Sequence, residues 1–518
     1  MKGKGWWLLG IVVLLPHLIC AQSTSETALL FSRFRLGGSA RIQAMGGVQT
    51  SLGGDYSSAF SNPAGLGMFN RSEVSITPGY HTSKISSNYL GNTGTETKTN
   101  VNIPGLGLVF QTAKDGKKGF LSGAFAVSFN RINNFNQDFS YQGTNNKNSI
   151  IDYFIEDATG YDPKSFLNNG ENFNSPTGLA YNNYLIEDST FINPSASKYE
   201  YLSVLGTYPN NPQDIREVLQ SEIVETSGAQ NQWSFSYGAN LSDKIFIGAG
   251  VGFTSLRFEV TKNYTESNFL FALDQGFNPL DNLLLKEELI ISGSGINGTL
   301  GMIFRPIDMI QVGLSYTTPT GYKLTDSYSA AIFTKWNNFD YLGNGDLLNS
   351  ISEETKDILA EYNLRTPGHL NVGGTVFFNK SGFISVDAEM VNYSGAQYSS
   401  GTSGVSFDSD NENINALYQP TVNYRMGGEY RYKKFRARAG YSYMPDPFRS
   451  AQNGIDRKIT SMSGGVGFRM EKFYLDLAYV STQGESSYRP YRVNSVDSPL
   501  VTFKNKNTLV LVTLGFPF

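Results

Sequence analysis

Short segments in which apolar and polar residues alternate recur along most of the chain. In WSFSYGA (233–239) every aromatic residue lies on one face and every serine on the other. TVNYRMGGEYR (421–431) and FRARAGYSY (435–443) place aromatic and aliphatic residues opposite charged ones. A period of two residues is typical of a β-strand whose two faces meet different surroundings. The pattern therefore predicts an all-β protein.

Fourteen strands are predicted, and their connections alternate between short and long. The strands lie near 72–88, 99–111, 118–135, 230–241, 244–262, 288–305, 308–323, 366–379, 382–394, 420–431, 434–444, 458–469, 472–482 and 507–518. The turns TAKDGKK, LSDK, RPID, NKSG, RYKK and RMEK are tight, whereas the other connections run from about ten to about ninety residues. A sandwich would also alternate, but this asymmetry favours an antiparallel up-and-down transmembrane β-barrel with both termini in the periplasm.

The first 21 residues are predicted to be a secretory signal peptide. Lys2 and Lys4 precede an apolar run, and a polar segment follows Ala21, the expected cleavage point. Lipid attachment at Cys20 is the alternative, although Leu18 and Ile19 are larger than the residues expected before a lipidated cysteine. The predicted mature chain divides into residues 22–71, described below, and a barrel of residues 72–518.

The composition supports a β-rich protein and excludes nucleic acid as a partner. The 54 glycines, 30 tyrosines and 35 phenylalanines favour β-structure. Removal of Lys2 and Lys4 would change the net charge from -4 to -6, so no basic face for nucleic acid is expected. After the signal no apolar run reaches the roughly 18 residues of a membrane helix. The expected location is the outer membrane of a Gram-negative bacterium, with lipids and lipopolysaccharide around a monomeric barrel.

The long outer loops are predicted to contain short helices and apolar residues. Helical spacing appears within 211–224 and 346–362. The loop segment FLFALDQGFNPLDNLLL includes Phe269 and Phe271 and is unusually apolar. Two interpretations remain open: these residues pack the loops against one another, or they form an external groove that collects hydrophobic solutes.

The segment GGSARIQAMGGVQTSLGGDYSSAFSNPAGLGMF resembles the amino-terminal hatch of the FadL/TodX family, outer-membrane transporters of long-chain fatty acids and aromatic hydrocarbons. The similarity lies in its glycines, in Asp55 followed by small residues, and in the Asn-Pro-Ala step. Segments beginning RPIDMIQVGLSY, LRTPGHLNVGG and YRMGGEYRYKK are also similar. The resemblance implies fourteen strands around a hatch formed by residues 22–71. It assigns gating to Asn62, Pro63, Ala64 and Gly65, for which a rigid turn is the alternative.

The resemblance implies passive uptake of hydrophobic small molecules through a hatch-gated channel. The loop at 140–229 is longer than expected of the family. A structural or secretion-linked barrel whose extracellular loops bind a protein partner is therefore the alternative function. A hydrophilic porin is a third interpretation, which the hatch and the apolar loops disfavour.

Three arginines on polar strand faces are candidates to bind a ligand carboxylate: Arg425, Arg436 and Arg438. Because acidic residues share those faces, a mutually paired charge network is the alternative. The alternation in AVSFNRINNFNQ slips at Asn133 and Asn134, which indicates a strand kink or simple emergence from the membrane. The resemblance implies a kink in the third strand that opens a sideways exit.

No enzymatic or metal site is predicted. Only His81 and His369 remain after signal removal, and neither a G-x-S-x-G nor an H-E-x-x-H motif occurs. The aspartates and asparagines at 408–415 lack an EF-hand spacing, so this segment is predicted to be a solvated loop. We therefore expect no metal, no cofactor and no catalytic residue.

Overall fold

The chain forms one large antiparallel sheet with a few short helices. The computed structural model describes residues 24–33, 37–113, 118–167, 170–191, 199–203, 205, 215–271, 278–341, 343–494 and 497–518, with the side chains of residues 215, 216 and 271 excepted. The predicted signal peptide lies outside these residues. The strands that are described are β1 (Glu73–Tyr89), β2 (Asn92–Ala113), β3 (Phe120–Asn134), β4 (Gln137–Asn145), β5 (Glu187–Asp188), β6 (Tyr201–Leu202), β7 (Ile215–Leu241), β8 (Ile245–Phe271), β9 (Leu280–Ile307), β10 (Ile310–Thr317), β11 (Gly321–Asp340), β12 (Leu347–Glu354), β13 (Ile358–Arg365), β14 (His369–Phe377), β15 (Gly382–Asn392), β16 (Gln397–Ser399), β17 (Pro420–Tyr432), β18 (Phe435–Met444), β19 (Ile459–Arg469), β20 (Tyr474–Tyr488) and β21 (Val501–Pro517).

Fourteen barrel strands arise because some of these segments continue one another. β3 and β4 both pair with β7, and β10 and β11 both pair with β9. β12, β13 and β14 follow one edge of β11 and β10, while β15 and β16 pair with β14 and β13. β21 pairs with β1 from Tyr89–Val501 to Glu73–Pro517, which closes the barrel. The prediction of a fourteen-stranded barrel is confirmed.

The two ends of the barrel differ as predicted. At the end that we call the turn end, the six short connections join β2 to β3, β7 to β8, β9 to β10, β14 to β15, β17 to β18 and β19 to β20. The amide of Phe518 donates to the carbonyl of Ser72 at 2.9 Å, which places the start and end of the barrel there. At the opposite end, the loop end, one predicted loop is absent. β1 and β2 meet in a two-residue turn, Leu90 (φ 48°) and Gly91 (φ 87°), because the threonine-rich segment 93–99 extends the ladder.

The predicted alternation separates an outer apolar belt from a polar lumen. Trp233 and Tyr237 are each 45% exposed on the outer face of β7, whereas Ser234 and Ser236 are buried inside. In β17, Tyr424 points outward and Arg425 inward. Apolar side chains outside and polar ones inside are the arrangement of a barrel surrounded by lipid.

The strands from β7 to β12 extend past the apolar belt and enclose a second core at the loop end. This loop core joins buried residues of the helices α4 (Ile150–Ala158) and α5 (Pro176–Asn182) to residues of β8, β9 and β11. Ser149 and Asp152 form a capping box that starts α4. A third loop helix, α6 (Asp408–Leu417), packs nearby through Ile414. None of the helices among the described residues is long and apolar enough to cross a membrane.

Two helix predictions for the loops are wrong. The segment 211–224 is described from residue 215 onward, where it is the start of β7, paired with β8 and β4. The segment 346–362 forms β12 and the start of β13, both paired with β11. In both places a neighbouring strand extends past the membrane belt and offers a complete ladder of hydrogen bonds, which overrides local helical spacing.

The amino-terminal segment divides between the loop core and the lumen. Helix α1 (Thr24–Ser32) packs Ala28 and Phe31 into the loop core. Within the predicted segment 22–71, residues 37–69 lie in the lumen, and from here on we use the name hatch for them alone. They include α2 (Ala40–Ala44), α3 (Ser58–Ser61) and a 3-10 helix (Pro63–Met68). Their side chains are mostly buried against β7, β8, β9, β14 and β18 to β21.

Candidate functional site in the barrel lumen

The Asn62–Pro63 step is a rigid turn at the centre of the hatch. Asn62 is extended (φ -147°, ψ 93°), as expected of a residue before proline, and its Oδ1 accepts from the Ala64 amide at 3.2 Å. Its Nδ2 donates to the carbonyl of Thr50 at 2.6 Å. Pro63 begins the 3-10 helix, where its missing N–H leaves no donor unsatisfied. The carbonyl of Gly65 accepts from Gly54 at 3.1 Å, so the turn is tied to the preceding hatch segment at two points.

Polar contacts fix the hatch to the wall. Asp387 Oδ2 on β15 accepts from the backbone amides of Gln49 and Thr50 at 2.8 and 2.9 Å. The hydroxyls of Ser51 and Thr375 lie 2.7 Å apart. These contacts join the hatch to β14 and β15, on the side of the barrel away from β2 and β3.

Wall glycines let the backbone of the hatch approach the strands closely. A Cβ at Gly313 would lie 2.0 Å from the carbonyl oxygen of Thr50, and one at Gly427 would lie 2.1 Å from that of Met45. Similar close approaches to the hatch occur at Gly238, Gly248, Gly301 and Gly440. The wall is therefore shaped around the hatch, and the absence of side chains there is part of the fit.

The candidate arginines Arg425 and Arg438 already have carboxylate partners. Arg425 pairs with Glu389, which also accepts from Asn423 at 2.9 Å and lies 3.1 Å from His369 Nδ1. Arg438 bridges Glu429 and Asp476 at 2.7 Å each, with both carboxylates buried. This geometry favours the paired network over a free carboxylate-binding site.

Arg436 lies apart from that network. Its Nη1 donates to the carbonyls of Lys433 and Phe435 at 2.9 and 2.8 Å, at the turn end of the barrel. It therefore occupies a different height from Arg425, and the three candidate arginines do not form one site.

A small cavity of about 30 Å³, with a mainly apolar surface, lies in the lumen beside the hatch. Its lining residues come from the hatch and from strands around the barrel: Gln49, Thr50, Phe60, Ser61, Ile132, Gln232, Asn297, Thr317, Thr320, Tyr322, His369, Asn371 and Glu389. The side-chain oxygens of Gln49, Asn297 and Asn371 are buried without a hydrogen-bond partner among the described residues. A space of this volume accommodates about two water molecules, which these oxygens could hold.

The cavity reaches an opening in the barrel ladder. β2 and β3 pair only as far as Gly105 and Asn130, while β2 continues to pair with β1 as far as Asn92. Ile132, which lines the cavity, lies two residues beyond the last pair. Above that point, Asn134 Nδ2 lies 3.4 Å from Asn100 Oδ1, and Lys98 pairs with Asp138 at 2.7 Å. We call this unpaired boundary between β2 and β3 the seam.

The candidate kink residues lie along the seam. The pairing of β3 with β7 shifts register between Arg131 and Asn133, and the strand is interrupted at 135–136. The amide of Phe135 donates to the carbonyl of Gly228, whose φ of +104° favours glycine. Asn133 Nδ2 donates to the carbonyl of Leu30 in α1 at 3.2 Å, so the interrupted strand touches the amino-terminal segment.

The apolar loop residues are packed together in this structure. Phe269 is 5% exposed, and Leu283 and Leu285 are buried with it in the loop core. The side chain of Phe271 lies outside the described residues. The described contacts favour loop packing over an open groove.

Sequence reasoning missed Lys262 as a candidate site residue. It lies on the inward face of β8 between Val260 and Tyr264, is 3% exposed, and has its Nζ 5.2 Å from the centre of the Tyr488 ring. That Nζ has no hydrogen-bond partner among the described residues. The available signal was a lysine that follows three apolar residues on the same strand face, Leu256, Phe258 and Val260.

The residues considered for other chemistry are dispersed. His81 lies on β1 and His369 on β14 beside Glu389. In the part of the chain that is described, no three His, Cys, Asp or Glu side chains are grouped so as to hold a metal ion.

Comparisons with known proteins agree with this architecture. Residues 224–516 match the family described as outer membrane protein transport protein (OMPP1/FadL/TodX). A FadL homologue from Pseudomonas aeruginosa is 15% identical, with 94% of this chain and 99% of that chain covered and a TM-score of 0.54. The toluene transporter TodX from Pseudomonas putida is 14% identical, with coverage of 94% and 100% and a TM-score of 0.48. A search among curated proteins gave no match.

Proposed function

Because the chain belongs to the OMPP1/FadL/TodX family of outer-membrane transport proteins, we propose that it passes hydrophobic small molecules across the outer membrane by diffusion. The family is one of transporters and not an enzyme class. In this proposal the loop end faces the cell exterior, the termini lie in the periplasm, and the barrel acts as a monomer. Asn62, Pro63, Ala64 and Gly65 form the gate.

The observation that carries the proposal is the position of the cavity between the hatch and the seam. Thr50, Phe60 and Ser61 line it from the hatch, and Ile132 lines it beside the seam. A ligand arriving from the loop end would need the hatch to move in order to enlarge this space. The seam then offers an exit where the wall lacks a continuous ladder of backbone hydrogen bonds.

The substrate class follows from the family, whose solved members include transporters named for toluene and other monoaromatic hydrocarbons. Long-chain fatty acids or aromatic hydrocarbons are therefore the proposed ligands. A fatty acid also requires a cation for its carboxylate. We assign that role to Lys262, whose Nζ lacks a hydrogen-bond partner, in preference to Arg425 and Arg438, which are already paired.

The test uses the full mature chain in lipid vesicles with labelled oleate and labelled toluene. A disulfide between Ser51→Cys and Thr375→Cys would tie the hatch to β14, where the two hydroxyls are 2.7 Å apart. The control disulfide joins Ser461→Cys and Thr482→Cys, whose hydroxyls are 2.8 Å apart within the wall. Only the first disulfide should block uptake, and reduction should restore it.

Lys262→Met separates the two ligand classes in the same vesicles. Uptake of oleate should fall about tenfold, whereas uptake of toluene, which has no charge, should stay within twofold. The transport proposal fails if vesicles that contain the native barrel take up oleate and toluene no faster than vesicles without protein. Equal uptake with the hatch disulfide closed or open would contradict the gate alone.

The alternative of a barrel whose loops bind a protein is favoured by one feature. Leu347 and Leu359 are 52% and 70% exposed on β12 and β13, beyond the apolar belt. They lie opposite Asp340 and Ser327 of β11, so they are two separate exposed positions, either of which a protein partner would cover. Purification in mild detergent distinguishes the two functions. A protein partner that co-purifies in stoichiometric amounts with the native chain, and is lost from the variant with Leu347→Ser and Leu359→Ser, would support the protein-binding alternative.

A further inference from the structure

Three lysines form a basic patch on the outer surface of the barrel, at the boundary of β21 and β1. Lys84 on β1 is directly opposite Lys506 on β21, and Lys504 lies two residues further along the same outward face. All three are exposed. Glu485 lies opposite Lys504 on β20, so three lysines and one glutamate leave a net charge of +2.

The patch lies just beyond the apolar belt on its loop-end side. Tyr80, Tyr479 and Val510 point outward from the three strands, one or two outward positions before the lysines begin. Tyrosines at the edge of such a belt lie at the level of the lipid headgroups. The lysines therefore lie where lipid phosphate groups are found.

The absence of ion pairs distinguishes these lysines from others at the loop end. Lys286 pairs with Glu288 at 2.7 Å, and Lys335 pairs with Asp281 at 2.8 Å. Within the described residues, Lys84, Lys504 and Lys506 form no ion pair, although Glu485 is available to Lys504. The pattern is unfavourable for an isolated protein, because like charges directly opposite each other in an antiparallel ladder repel.

We propose that Lys84, Lys504 and Lys506 bind a phosphate group of a membrane lipid in the leaflet at the loop end. A phosphate between Lys84 and Lys506 accepts from both ammonium groups and removes their repulsion. The acyl chains of the same lipid lie along the apolar belt below, against Tyr80 and Val510. The site depends on the barrel being in a membrane and not on which solute it transports.

The experiment measures lipid retention by the purified full chain in detergent, using native mass spectrometry with added bis-phosphorylated lipid A. Removing both opposed charges with Lys84→Gln and Lys506→Gln should weaken binding about thirtyfold, since each lysine near a membrane surface contributes about 1 kcal/mol. The matched control, Lys286→Gln with Lys335→Gln, removes the same charge from the loop end and should bind as the native chain does. Lys84→Arg with Lys506→Arg should retain binding if the cations are what matters.

Several outcomes would overturn the proposal. Equal lipid binding by the glutamine pair and the native chain would do so, as would equal weakening in the control pair. Displacement of the lipid by millimolar inorganic phosphate would show that the patch binds free phosphate and not a lipid. Equal retention of a lipid A from which the phosphates have been removed would show that only the apolar belt binds it. Folding of each variant is checked by the heat-dependent shift of its band in gels.

Discussion

The side-chain amide of Asn62 donates to the backbone carbonyl of Thr50 at 2.6 Å and joins two segments of the hatch that are twelve residues apart. Both residues are buried, and Asn62 Oδ1 also accepts from the Ala64 amide. Since Thr50 is itself held by Asp387, a contact chain runs from the gate through the hatch to the wall. Loss of the two hydrogen bonds of the Asn62 side chain should therefore loosen the hatch without changing the hydrogen-bond ladder of the barrel.

Asn62→Leu tests this relationship. The leucine leaves the Thr50 carbonyl and the Ala64 amide without their partners, so the free energy of unfolding should fall by about 1 to 3 kcal/mol. Passive leakage of a small dye through the barrel in vesicles should rise. Asn344→Leu, in an exposed turn, is the control and should leave both values unchanged. If the Asn62→Leu variant leaks dye at the same rate as the native chain, this turn does not seal the lumen.

Gly313→Ala tests the fit between wall and hatch. Its Cβ would lie 2.0 Å from the Thr50 carbonyl oxygen, a distance that forces the hatch backbone to move. We expect destabilisation of about 1 to 3 kcal/mol and increased proteolysis within 37–69. Gly374→Ala is the control, because a Cβ there has no neighbour within 4 Å. If proteolysis within the hatch is equally slow in both variants, the hatch and the wall do not fit as closely as the structure indicates.

The strands could be predicted because the membrane imposes a strict alternation on them. Tyr424 and Tyr430 must face lipid, and Arg425 and Glu429 must face the lumen, so a period of two remains in the sequence. Beyond the membrane this constraint ends. The helical spacing at 211–224 and 346–362 was therefore misleading, since pairing with neighbouring strands determined the structure there. The segment 408–415, taken for solvated loop, lies in helix α6 for the same lack of a pattern.

The site was only partly predictable. The turn at Asn62 could be found because proline restricts its neighbour, which is a local effect. The separation of Arg425 and Arg438 from Arg436, and the pairing of the first two with carboxylates, depends on barrel register and strand tilt. The end of the ladder between β2 and β3 at Asn130 depends on packing against β7 and the hatch, which no local pattern records.

Arg438→Gln distinguishes a structural charge network from a ligand site. Glu429 would keep its ion pair with Arg431, and Asp476 would keep its ion pair with Arg469. Loss of the shared cation should therefore cost about 1.5 to 3 kcal/mol of unfolding free energy. Arg436→Gln removes an arginine that contacts only backbone carbonyls in the described structure and should cost less than about 0.5 kcal/mol. Urea unfolding of the refolded barrels in detergent measures both. A stable Arg438→Gln variant with reduced oleate affinity would restore Arg438 as a ligand-binding residue.

Glu187 should make the stability of the loop core depend on pH. Burial raises the pKa of its carboxyl above the ordinary 4.5, although Tyr181 and Tyr341 donate to it at 2.9 and 3.2 Å. A raised folded-state pKa means that stability is greatest below pH 4.5 and falls as the pH rises through the folded value. Hydrogen exchange of residues 176–191, corrected for intrinsic rates, should therefore quicken towards pH 8. Glu187→Gln should weaken this dependence, and the remainder should come from Asp157, which accepts from Thr177 and whose pKa burial also raises. Glu354→Gln, at an exposed position, should leave the dependence unchanged.

Cross-linking the seam should separate sideways exit from passage straight through the lumen. Asn100→Cys and Asn134→Cys replace side chains that approach to 3.4 Å across the boundary of β2 and β3, and their disulfide would close it. If ligands leave through the seam, oxidation should slow the transfer of labelled toluene into the surrounding membrane at least tenfold, and reduction should restore it. The disulfide between Ser461→Cys and Thr482→Cys lies in a continuous ladder and should have no effect. If toluene crosses at the native rate with the seam closed, the exit lies along the lumen, and the interruption of β3 marks only the place where that strand leaves the membrane.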